Sequence, residues 1–105
     1  MKIVRVTYRV REGFAETNKR NIEKVMHDLR ILRNPGLKYA SFIEDDGKTF
    51  MHFAMYPDEA TAQIVEDLPS FKLFRKQLKE SRPETPPKAD MLELVSSAYD
   101  IFGKE

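Results

Sequence analysis

The side chains able to move a proton or hold an anion near neutral pH are few, and their positions narrow the chemistry. None of the 105 residues is cysteine, which excludes disulfides, thiolate metal sites and a cysteine nucleophile. His52 falls in an alternating run over residues 48–56, the spacing of a strand, where an imidazole of ordinary pKa could shuttle a proton. If Asp46-Gly47 closes a hairpin, Ser41 stands across from His52 and Tyr56 lies two same-face positions along. The alternative is a histidine hydrogen-bonded within an interface. His27, beside an apolar helical stripe, reads as solvent-facing, and the two histidines share no metal-ligand spacing.

Arg5 and Arg9 alternate along the first strand. Arg5 could hold a carboxylate or phenolate, or it could pair with Glu93 on the last strand and fix register. Tyr8, Tyr39, Tyr56 and Tyr99 could line a pocket for a planar molecule or cement an interface. Phe14, Phe71 and Phe74 have the spacing of helix core positions, and Met26, Met51 and Met55 fill gaps. Asp45-Asp46 is turn chemistry, and no glycine-rich phosphate loop or GxSxG elbow occurs. The candidate set is His52 as catalytic residue and Arg5, Tyr39, Tyr56 and Glu93 as ligand-binding residues, with no metal and no cofactor.

These groups need elements to position them. Residues 2–10 alternate with β-branched types and predict a strand. The stripe Phe14, Ile22, Val25, Met26, Leu29, Leu32 predicts a helix stopped by Asn34-Pro35-Gly36. Residues 37–44 and 48–56 form a hairpin about Asp46-Gly47, a type I′ signal, pairing Ile43 with Phe50, Ser41 with His52 and Tyr39 with Ala54. Its uniformly apolar face (Ala40, Phe42, Met51, Phe53, Met55) is expected under helices, and the mixed face holding Tyr39, His52 and Tyr56 outside. Asp58 caps a helix over 59–68, Pro69-Ser70 restarts it, residues 81–90 read as a connector, and 91–98 as the last strand.

The order strand–helix–strand–strand–helix–strand is the ferredoxin-like βαββαβ plan, an α+β domain over 1–105 with a four-stranded antiparallel sheet. Both helices cover one sheet face; the other needs a cover, and a second copy is the simplest one. The 18 basic and 17 acidic residues leave a net charge of +1, which argues against a nucleic-acid partner. Residues 47–53 suggest the aromatic strand of an RNA-recognition motif but lack its glycine-aromatic spacing. Charge is polarised along the chain, +5 over residues 1–35, −5 over 36–70 and +1 over 71–105. No apolar run reaches a membrane-spanning length, so the expectation is a cytoplasmic protein with no membrane partner.

Several stretches carry a family resemblance: the N-terminal strand, Asn34-Pro35-Gly36-Leu37-Lys38-Tyr39, Tyr56-Pro57-Asp58-Glu59-Ala60 and Leu68-Pro69-Ser70-Phe71-Lys72-Leu73-Phe74. On these the chain resembles the dimeric α/β-barrel superfamily, specifically the antibiotic-biosynthesis monooxygenase-like domains. The resemblance implies a homodimer with sheets face to face and a pocket between each sheet and its helices or at the barrel edge. Some members oxidise aromatic polyketides or quinols without metal or flavin, and others degrade haem. Glu66 stands where haem-degrading members carry a histidine, and Ile64 and Ser70 where many monooxygenase-like members carry others. Two functions follow as expectations. One is a small-molecule-binding, cofactor-independent monooxygenase for an electron-rich aromatic such as a quinol or anthrone. There Tyr39 and Tyr56 would pack on the ring, His52 take a phenolic proton and Arg5 hold the anion. The other is a non-catalytic interaction or sensor domain whose sheet face is a dimer interface.

Overall fold

Alternation along β1 (Lys2–Arg9) puts Val4, Val6 and Tyr8 on one face and Arg5, Thr7 and Arg9 on the other. A computed structural model describes residues 1–102. In it β1 lies inside a four-stranded antiparallel sheet, flanked by β3 (Thr49–Tyr56) and β4 (Thr85–Leu92), with β2 (Lys38–Ile43) beyond β3. The helices α1 (Ala15–Leu32), α2 (Glu59–Asp67) and α3 (Pro69–Glu80) pack into one core with the Tyr8 face of the sheet. This is the ferredoxin-like α+β plan with its second helix split. The split is local: Leu68 is extended at ψ 128°, and Pro69 starts α3 where its missing N–H costs nothing. Asp58 caps α2 as expected, accepting the Thr61 N–H at 2.8 Å.

The exit from α1 differs from expectation in detail. Arg33, not glycine, takes the left-handed conformation (φ 52°) and donates its N–H to the Arg30 carbonyl. Gly36 is needed for space instead, since a Cβ there would stand 3.1 Å from Cγ of Pro57. The hairpin turn is also wider than type I′. The Gly47 N–H reaches the Glu44 carbonyl, the Glu44 N–H reaches Thr49, and only Gly47 has positive φ, so four residues close the loop. The counted register nonetheless holds: Ile43 opposes Phe50, Ser41 opposes His52 and Tyr39 opposes Ala54.

Two larger expectations are corrected. The hairpin faces are the reverse of those expected: Phe50, His52, Ala54 and Tyr56 lie buried under the helices, while Phe42 is 54% exposed on the other face. Pairing with β1 decides this, because Val6 opposes His52 and Tyr8 opposes Phe50, so both strands turn the same row to the helices. The last strand begins at Thr85 rather than residue 91 and ends at Leu92. Pro86 and Pro87 fit because β4 is an edge strand and its register shifts between the partners of Thr7 and Arg9, a bulge that needs no N–H there. Among the described residues, no helix is long and apolar enough to cross a membrane.

Candidate functional site

The helix-covered row of three adjacent strands brings polar side chains into one buried chain of hydrogen bonds. His52 on β3, 5% exposed, has both ring nitrogens engaged: Nε2 lies 2.8 Å from the Tyr8 hydroxyl on β1 and Nδ1 2.9 Å from the Tyr39 hydroxyl on β2. The chain continues to α1, where the fully buried Asn18 donates from Nδ2 to the Tyr8 oxygen at 2.8 Å. Aromatic rings enclose it. Phe74 stands 5.2 Å from the imidazole, Phe50 stacks on Tyr8 at 5.5 Å, and Phe71 meets Tyr39 edge-on.

Burial sets the protonation states. It lowers the His52 pKa to about 4 and raises those of Tyr8 and Tyr39 well above the usual phenol value. Tyr56 is pushed up to about 12, by burial first and then by the nearby Glu66 carboxylate. Near neutral pH every member of the chain is therefore uncharged, and each phenol is a donor rather than a base. The buried donors and acceptors favour one direction. With Asn18 donating to the Tyr8 oxygen, the tautomer that gives the Tyr8 and His52 protons an acceptor each has Tyr8 donate to Nε2 and the imidazole carry its hydrogen on Nδ1, facing the Tyr39 oxygen. In this orientation the Asn18 carbonyl oxygen is left without a partner. The Tyr39 proton is left without a protein acceptor among the described residues.

Tyr39 belongs to the wall of a cleft of about 1180 Å³ between the helices and the β1–β4 half of the sheet. Tyr8, Tyr39, His52 and Tyr56 line one side, α3 another, and Ala89 and Met91 of β4 a third. Glu66 lines it too, held by Arg75 at 2.7 Å, whose guanidinium lies 5.7 Å over the Phe71 ring. The site can donate hydrogen bonds from Tyr39 and Tyr56 to an oxygen of a planar ligand; His52 reaches such a ligand only through Tyr39. No group of three or more His, Asp and Glu among the described residues could hold a metal ion.

The five candidate residues divide. His52, Tyr39 and Tyr56 meet in the cleft. Arg5 does not: it projects from the opposite face and pairs with Asp90 at 3.2 Å, not with Glu93. Glu93 lies beyond the end of β4, exposed, because β4 starts six residues earlier than its sequence pattern implied. Cleft or chain members that were not site candidates from the sequence include Asn18, Glu66, Phe71 and Arg75. Asn18 had a readable signal, being the one polar residue in the buried stripe Asn18, Ile22, Val25, Leu29. Glu66 and Arg75 had none, since both lie on exposed helix faces.

Fold and site together define a ferredoxin-like α+β protein with a ligand-sized cleft lined by phenols. No family model matches the chain, and no curated protein matches it. Solved structures do. A crystal structure of an antibiotic biosynthesis monooxygenase superposes with TM-score 0.74 at 13% identity, covering 91% of this chain and all of that one. Rv0793 from Mycobacterium tuberculosis gives TM-score 0.76 at 16% identity over 93% of this chain and 98% of its own. A variant of SnoaB, a cofactor-independent oxygenase from Streptomyces nogalater, gives 0.66 at 12% identity over 94% and 98%. The resemblance read from the sequence is borne out at the level of fold.

Proposed function

We propose that the protein binds an electron-rich aromatic compound in this cleft and oxidises it with O2 without a metal or flavin. One observation carries the reading: a buried chain of hydrogen bonds, Asn18–Tyr8–His52–Tyr39, that ends at a phenol lining a large cleft. A ligand bound as a phenolate or enolate would receive that donor, strengthened by the imidazole N–H behind it. His52 thus serves the anion through Tyr39 instead of taking the phenolic proton itself; that proton leaves to water in the open cleft. In an anthrone-like substrate the resulting carbanion reduces O2 by one electron, and the radical pair combines to a hydroperoxide. Loss of water then turns a ring CH2 into C=O. One O2 accepts four electrons, one oxygen atom entering the product and the other leaving as water. The fold shared with an antibiotic biosynthesis monooxygenase and with SnoaB supports the reading. The test is oxygen uptake with a panel of quinols and anthrones. Turnover is expected with at least one, reduced about 100-fold by Tyr39→Phe; no uptake with any of them overturns the catalytic reading.

A homodimer belongs to the same proposal. The open sheet face carries Phe42, 54% exposed, and the half-buried Met51, Phe53 and Met55, an apolar row for which a second copy presenting the same row is the simplest cover. The non-catalytic reading drew on His52 and the tyrosines as that interface. Their burial on the helix side takes this support away.

A further inference from the structure

We propose that the ligand of this cleft is an aromatic molecule carrying an anionic group, which the basic face of α3 receives. The proposal rests on the cleft being a ligand site and adds the class of molecule. On α3, Phe71, Phe74 and Leu78 turn into the core, and the residues between them fall on a second face. Lys72, Arg75, Lys76 and Lys79 recur there at i, i+3, i+4 and i+7, and Arg82 follows just past the helix end. All five line the cleft. Like charges at this spacing repel, a cost that the helix dipole offsets only for the last-turn Lys79.

The cations are also left uncompensated. Only Arg75 has an acidic partner, Glu66; among the described residues Lys72, Lys76, Lys79 and Arg82 have no ion pair. Across the cleft, β4 contributes Pro86, Pro87, Ala89 and Met91, none of them charged, and Glu59 is held by Lys2. The lining thus carries six cations against two carboxylates, +4 in a chain whose net charge is +1. A cleft with one sign of charge on its rim and apolar walls concentrates ligands of the opposite sign. The aromatic body would lie against Tyr39, Tyr56 and Phe71, with its anionic substituent toward Lys76 and Lys79. A carboxylate and a phosphate ester meet this requirement alike.

The test measures binding of 2-naphthoate, 2-naphthyl phosphate and the neutral 2-naphthalenemethanol to the whole protein by fluorescence titration. At low salt at least one anionic probe should bind about tenfold more tightly than the alcohol, and the comparison of the two anions shows which group the rim prefers. The preference should shrink toward unity near about 0.5 M NaCl, where screening acts over a few ångströms. Lys76→Gln combined with Lys79→Gln should lower it severalfold while leaving alcohol binding unchanged, a control that the double variant is folded. Equal affinity for all three probes overturns the anion proposal and leaves the cleft as a ligand site. Binding of none overturns both. Salt-dependent binding of a short oligouridine without binding of either naphthyl anion also overturns it, making the rim a nucleic-acid surface.

Discussion

His52 shows how neighbours change what a residue can do. Its ring is caged by Phe74 and two phenols, and burial holds its pKa near 4 against an ordinary 6.5. The folded protein therefore binds fewer protons than the unfolded chain between those values, and stability must fall as pH drops from about 6.5 to 4. The loss amounts to about 3 kcal/mol at roughly 1.4 kcal/mol per pH unit. Urea denaturation across this range should show the slope, and His52→Gln should flatten it. Asp46 and Asp58 act lower. Hydrogen bonds from Thr49 and Thr61 hold their carboxyls below the usual 3.8, so their stabilisation is lost only below that value. A second expectation concerns the tautomer. Nitrogen-15 NMR at neutral pH should find the His52 hydrogen on Nδ1; finding it on Nε2 would reverse the chain, with Tyr39 donating to Nδ1 and left with no proton for a ligand.

At the element scale, the strands decide which residues meet. Tyr8, His52 and Tyr39 come from three strands separated by helix and hairpin, and only the order β2-β3-β1-β4 sets them side by side. Within β1 the faces separate function from surface. Arg5, on the open face with Asp90, is one position from the cleft-lining Val4 and Val6. Arg5→Ala should leave 2-naphthoate affinity within about twofold and cost less than about 1 kcal/mol, the usual worth of an exposed pair. The helix α2 carries Glu66 over the site, and Asp58 caps it. Asp58→Ala should cost about 1 kcal/mol in thermal or urea melts, and Asp58→Asn much less, because an amide oxygen still accepts the Thr61 N–H.

For the whole molecule, the two sheet faces have opposite fates. The helix side buries polar groups that mostly pair with one another, with Asn18 Oδ1 and Ser70 Oγ left over, whereas the open side leaves Phe42 exposed and Met51, Phe53 and Met55 half-buried in a single chain. Sedimentation should find a dimer, and Phe53→Lys at the middle of that face should convert it to a monomer; an unmodified chain that sediments as a monomer removes the dimer. The charge polarity of the sequence takes local form in the same way. Lys2–Glu59, Arg9–Asp46 and Lys48–Glu84 join distant stretches, while the basic cluster of α3 stays unbalanced at the cleft.

Local pattern was enough for β1, the hairpin strands and the helices, the ferredoxin-like order, the Asp58 cap, the hairpin register and the presence of His52, Tyr39 and Tyr56 as candidates. Each depends on neighbours within a few residues or on period-two and helical repeats. The sequence could not choose which hairpin face meets the helices, because alternation is symmetric between faces and hydrophobicity favoured the Met and Phe row. Only tertiary pairing broke that symmetry, since β1 carries its valines and Tyr8 to the helices and antiparallel register carries His52 with them. The burial of so polar a row is tolerable because Asn18 on α1, 34 positions before His52, supplies the donor that Tyr8 accepts. The expected pairing of Arg5 with Glu93 failed for a related reason. Edge prolines hid the start of β4, so the partner of Arg5 became Asp90, on the face away from the cleft.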